Sequence, residues 1–181
     1  MCSRTIVLAE SNRHDEDLVM LGLEGIDSNV NITVLKDGQA VIDFFLPSHI
    51  GRASRVVSYR RTRGFELTPT PAHACDLLLL ELALPKLDGL KVLKQLRWLF
   101  RADVSLLPPI VVVADSDDSD LVAEAYRCGA SGYLFKFATV DRFVNAVQQT
   151  TRYWLHTMPR GDVSEPGWLV ARRSVRPLAV R

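Results

Sequence analysis

The chain is poor in the features that mark secreted scaffolds, metalloproteins and nucleotide enzymes. Its cysteines number only three, Cys2, Cys75 and Cys128. The odd count and the lack of Cys-x-x-Cys spacing argue against a disulfide framework and leave free thiols in a reducing compartment. The histidines, His14, His49, His73 and His156, are scattered with no metal-ligand spacing. No apolar run approaches the length of a membrane span. Formal net charge is +1, so no global field favours nucleic acid or an anionic surface. No internal repeat is found. Met-Cys-Ser-Arg runs straight into an apolar segment, so no signal peptide is expected and the expected location is cytoplasmic. What remains is 181 residues, 48% of them hydrophobic. That is enough for one well-packed domain and an appendage.

Short apolar runs alternate with helical periodicity. Thr5–Ala9, Asn31–Leu35, Asp76–Leu80, Ile110–Val113 and Gly132–Phe135 read as strands. His14–Leu23, with Leu18, Met20 and Leu21 at helical spacing, reads as a helix, as does Gly38–Leu46, which Pro47 ends. Asp88–Phe100 carries Leu90, Leu93, Leu96 and Trp98. Asp117, Asp118, Ser119 and Asp120 place acids and a cap before a helix that runs to Cys128 and stops at Gly129. The last helix, Thr139–His156, sets Val140, Phe143, Val144, Val147 and Trp154 near one face. Five βα repeats with apolar strands predict an α/β fold, a five-stranded parallel sheet with helices on both faces. A site in such a sheet lies at the C-terminal strand ends, where Glu10, Glu81, Ala114 and Lys136 fall.

The run Cys75-Asp76-Leu77-Leu78-Leu79-Leu80-Glu81, then Pro85 and Asp88-Gly89, resembles the phosphoacceptor segment of response-regulator receiver domains. The resemblance covers roughly residues 4–157 and implies a (βα)5 flavodoxin-like fold. It departs from the family at the chemistry. The acceptor aspartate is Glu81. The acidic pair after the first strand is Glu10-Ser11. The hydroxyl residue ending the fourth strand of the repeat is Ala114. The lysine position is kept as Lys136, but the following proline is Phe137, and Tyr133 holds the switch-aromatic position. Phosphoryl transfer needs an in-line nucleophile, a divalent cation and donors for the equatorial oxygens. Ser11 removes a ligand charge, and Glu81 extends the carboxylate by roughly 1.5 Å, where misplacement by about 1 Å can cost on the order of 10²-fold. Ordinary phosphorylation is therefore not expected. No cofactor is expected, and Mg²⁺ is expected at most weakly, at Glu10 and Glu81. Two readings of Glu81 stay open. In one it is a dead site kept as packing. In the other it mimics phosphorylation by directing charge toward Lys136. An unpaired buried ammonium is costly, so Lys136 should have an acidic partner among Glu81, Glu10 and, less surely, Asp115.

The domain reading is 1–157, with a long insertion at 47–74, and a tail at 158–181. The insertion carries Arg52, Arg55, Arg60, Arg61 and Arg63 near Tyr59 and Phe65. It reads as a solvated excursion or as a docking patch for an acidic partner. Tyr153-Trp154-Leu155 and the long insertion look like the small regulators that partner bacterial phytochrome histidine kinases. That resemblance implies a histidine kinase or other signalling partner, and a homodimer through Tyr153, Trp154 and the tail's Trp168. The function expected is that of a stand-alone, non-enzymatic response regulator that acts by protein binding. The alternative is a receiver fold that binds nucleic acid or acidic surfaces through its arginine loop and tail. No membrane partner is expected, and nucleic acid is not the favoured one.

Overall fold

A computed structural model describes residues 4–24, 26, 30–46, 57–60, 75–102, 107–137 and 139–157. Five strands run parallel: β1 (Arg4–Ala9), β2 (Val30–Leu35), β4 (Leu77–Glu81), β5 (Ile110–Ala114) and β6 (Gly132–Phe135). A sixth, β3 (Val57–Arg60), pairs antiparallel with β2. The sheet order is β3-β2-β1-β4-β5-β6. The parallel strands match expectation, and β3 adds an edge drawn from the long insertion. Arg52, Arg55, Arg61, Arg63 and Phe65 lie outside the described residues, as does the 158–181 tail with Trp168.

The helices are α1 (Arg13–Leu23), α2 (Gly38–Phe45), α3 (Gly89–Leu99), α4 (Ser119–Arg127) and α5 (Val140–Thr157). Four starts are fixed by side chains that accept otherwise orphaned backbone N–H groups. Asn12 accepts from His14, Asp37 from Ala40, Asp88 from Lys91, and Asp118 from Asp120 and Leu121. Gly129 takes the left-handed conformation (φ 107°) just beyond α4, the usual stop for a helix.

Strand alternation sends side chains to two apolar layers. Val7, Leu78, Leu80, Ile110 and Val112 pack with Val41, Phe44, Val92, Leu93 and Leu96, on the face covered by α2, α3 and α4. Ile6, Leu8, Leu77, Leu79, Val111 and Val113 pack with Val19, Leu23, Phe143, Val147 and Leu155 of α1 and α5. Every residue of β4 is buried, and each such leucine contributes about 1.5–3 kcal/mol.

Some helix faces differ from the periodicity reading. In α1, Val19, Gly22 and Leu23 face inward and Leu21 is exposed. Gly22 lets α1 meet α5, since a Cβ there would lie 2.8 Å from Val147. In α3, Val92 joins Leu93 and Leu96 inside, while Trp98 stands out under the Arg101 guanidinium, 4.3 Å from its ring centre. In α5 the buried line is Phe143, Val147, Thr151 and Leu155, a strict four-residue spacing that leaves Val140 exposed.

Candidate functional site

Parallel pairing brings the chemical residues together. Ala9 is in register with Leu80, Glu81 with Val113, and Ala114 with Phe135. Glu10, Glu81, Ala114 and Lys136 therefore gather at one edge of the sheet. They lie beside the junction of β1 and β4, where the strand order reverses direction. The Glu10 N–H extends the ladder to the Leu35 carbonyl at 3.0 Å, and the Lys136 N–H donates to the Ala114 carbonyl at 2.8 Å. The charged side chains thus stand on backbone that the sheet itself fixes.

The Lys136 ammonium is the hub. It donates to Glu81 Oε1 at 2.8 Å, Asp15 Oδ2 at 2.7 Å and Glu10 Oε2 at 3.1 Å. Its side chain is only 7% exposed. Burial pulls its pKa down, but the hydrogen bonds to Asp15 and Glu81 and the charge of Glu10 outweigh that and hold it above the ordinary lysine range. Glu81 and Glu10 were expected partners. Asp115 is not a partner: it is exposed at the end of β5, and Asp15 from the first turn of α1 takes that place. Sequence reasoning missed Asp15. The available signal was the short link from Glu10 to α1, which sets the helix's first turn over the strand end.

Glu10 is 1% exposed. Its Oε1 accepts the Asn12 N–H at 2.8 Å, so both of its oxygens are engaged. Burial, followed by hydrogen bonding with Glu81, pushes its pKa up to about 8, against the opposing pull of the Asn12 N–H and Lys136. Glu81 is 5% exposed, and its Oε2 is buried with no hydrogen-bond partner. Ligand atoms of Glu10, Asp15 and Glu81 all lie within 4.8 Å of one another. Ser11 is exposed and brings no charge.

The loop after Glu81 is tightly held. The Gly89 N–H bonds the Leu82 carbonyl at 2.9 Å, and a Cβ on Gly89 would lie 2.4 Å from the Glu81 carbonyl. Lys86 adopts φ 62° and pairs with Asp37 at 2.6 Å, tying the loop to the start of α2. There the Gly38 N–H meets the Pro85 carbonyl at 3.2 Å, and a Cβ on Gly38 would fall 1.8 Å from the Leu87 carbonyl. A third buried acid, Glu16, pairs with Lys36 beyond β2. Ala114 is buried and has no hydroxyl to offer. Tyr133 is half-buried, and its hydroxyl donates to the Ser116 carbonyl at 2.7 Å. Its pKa is raised, first by burial and then by Asp117, Asp118 and Asp115 nearby. Tyr153 is 60% exposed and meets the half-buried Trp154 edge-on at 5.2 Å.

Comparison with known proteins agrees with this layout. Residues 62–148 match the model of the response regulator receiver domain. The chain is 29% identical over 150 residues to the probable methanogenesis regulatory protein FilR2 of Methanothrix harundinacea, covering 83% of each. It is 26% identical over 155 residues to response regulator Rcp1 of Synechocystis, covering 86% of this chain and 91% of that one. The Mn²⁺-bound crystal structure of Rcp1 superposes with TM-score 0.63, covering 88% of this chain and 99% of the other. Bacteriophytochrome response regulator RtBRR superposes with TM-score 0.56 at 25% identity, over 96% and 90%. Strand order and these likenesses agree: residues 62–148 match the receiver-domain model, and the chain is similar in sequence and fold to response regulators.

Proposed function

We propose that this chain is a stand-alone response regulator that signals by binding a protein partner, without ordinary aspartyl phosphorylation. The observation that carries the reading is the buried contact between Glu81 Oε1 and Lys136 Nζ at 2.8 Å. A carboxylate longer than aspartate already delivers negative charge to the lysine that would otherwise meet a phosphoryl oxygen. Two further features agree. Ser11 adds no acid, and Ala114 has no hydroxyl for a phosphoryl group. The site also has no nucleophile and base arranged for catalysis among the described residues, so output rests on surface recognition and not on turnover.

The partner we favour is a sensor histidine kinase or a protein that docks on one, as the likeness to a bacteriophytochrome regulator suggests. A homodimer is part of the proposal, with the exposed Tyr153 and the neighbouring Trp154 at the end of α5 in the contact. Residence in the cytoplasm follows from that partner. Among the described residues no helix is long and apolar enough to cross a membrane.

The test is chemical. Incubation with a small-molecule phosphodonor and Mg²⁺, or with a histidine kinase, should give no hydroxylamine-labile mass increment on Glu81. A stable acyl phosphate there refutes the proposal. Partial recovery of phosphorylation should need Ser11→Asp, Glu81→Asp and Ala114→Thr together, because residues that act as a unit are not additive.

A further inference from the structure

Receiver chemistry ordinarily draws on a divalent cation, and a relative is known in a Mn²⁺-bound form. The residues of this chain do not fit one. The Lys136 ammonium already lies within 2.7–3.1 Å of an oxygen from each of Glu10, Asp15 and Glu81. Among the described residues, those same three are the carboxyl groups close enough together to hold an ion. Mg²⁺ and Mn²⁺ are hard ions that need several oxygens at short range. A dication drawn to this cluster would sit beside a buried ammonium, and like charges at that range repel strongly. Both Glu10 oxygens already accept, one from Asn12 N–H and one from Lys136, so an ion would have to compete for either. The second acid of the family's pair is the neutral Ser11. One carboxylate oxygen, Glu81 Oε2, is buried without a partner. It is a single oxygen, fewer than Mg²⁺ or Mn²⁺ requires.

We infer that Lys136 is the resident cation of this site, clamped by Asp15 from α1, and that the site is closed to divalent metal ions. This deepens the proposed function, on which it rests. A regulator with its positive charge built in holds one arrangement at any Mg²⁺ concentration. Asp15 is the added part. It is an acid recruited from a helix that binds the lysine in place of a metal.

The test uses the full-length chain and Mn²⁺ as the probe, read by Mn²⁺ electron paramagnetic resonance and by thermal melting. The wild type should show no saturable Mn²⁺ uptake at millimolar concentration and an unchanged melting temperature. Lys136→Met should take up one Mn²⁺ and melt higher with the ion than without it, because a ligand that binds only the folded state raises its stability. Wild-type uptake that Glu81→Gln abolishes overturns the inference. So does a folded Lys136→Met chain that still ignores Mn²⁺, because then the lysine is not what closes the site. If Lys136→Met is unfolded with and without the ion, Asp15→Asn and the wild type decide. Wild-type melting that Mn²⁺ raises, and Asp15→Asn weakens, again overturns it. Phosphorylation is not read in any arm, so a metal-binding wild type that still fails to form an acyl phosphate leaves the proposed function standing.

Discussion

Glu10→Gln should make this protein more stable at alkaline pH, although it removes an ion-pair partner of Lys136. The folded chain raises the Glu10 pKa from 4.5 to about 8. A raised acid binds its proton more tightly in the fold than in the unfolded chain. Its favourable contribution is complete below pH 4.5, and it is lost as pH climbs through the window to about 8. A shift of about 3.5 units at about 1.36 kcal/mol per unit gives at most about 5 kcal/mol across that window. Glutamine is uncharged at every pH and so escapes this loss, but its NH2 replaces one of the two accepting oxygens and forfeits the bond from Lys136 or from Asn12 at a cost that does not vary with pH. Lys136 stays charged throughout, since its own pKa lies above the ordinary value. Urea melts of wild type and variant at intervals from about pH 5 to pH 9 give the difference directly, with the other titrating groups largely cancelling. The difference between the two curves should move in favour of the variant as pH rises from about 5 to about 9. With an m-value of about 2 kcal/mol/M, a full effect moves the midpoint by about 2.5 M. A stability difference that does not change with pH refutes the reasoning, and one that grows in favour of the wild type reverses it.

Glu81→Gln should cost about 1–3 kcal/mol in a denaturant melt, below the 3–5 kcal/mol typical of a broken buried pair, because Lys136 keeps Asp15 and Glu10. An unchanged melt would mean that the Glu81 contact is not structural. Gly38→Ala should cost more than about 2 kcal/mol, because its new methyl would collide with the Leu87 carbonyl, which is backbone and cannot turn aside. Thermal melting checks that directly, and a loss within about 0.5 kcal/mol would show that the loop after β4 shifts freely. Light scattering on the intact chain should give a dimer at tens of micromolar, and a monomer for a chain ending at Met158. A monomer in both rules out the α5 contact.

Much of this fold can be read from the sequence because each parallel strand is a short apolar run covered on both faces. Leu77–Leu80 and Ile110–Val113 leave no other interpretation once helices flank them. Caps such as Asp88 and Asp118 and the stop at Gly129 are local, so local sequence reveals them. Helix faces were harder. Leucine and tryptophan count as apolar wherever they stand, yet Leu21 and Trp98 face outward while Glu16 is buried against Lys36. The meeting of Glu81 and Glu10 with Lys136 follows from strand topology. Asp15 does not, because an acid in the first turn of a helix has a sufficient local reason to be there. The short link from Glu10 places it over the strand end, but local sequence does not name a lysine 121 positions away. The β3 strand was hidden for the opposite reason. Its four residues end in arginine inside a basic stretch, and only pairing with β2 turns them into a strand.

That small antiparallel strand bears on how copies of this protein treat one another. A sheet whose last parallel strand lies open offers a row of unpaired backbone groups to any extended chain. Here β2 is buried in the sheet between β1 and β3, with β3 covering Asn31–Val34. The strand then presented on that side is only four residues long, as is β6 at the other edge. Among the described residues both rims are too short to template a long ladder. Recognition by strand addition, and the fibrous association that shares its geometry, is therefore disfavoured at both of these edges.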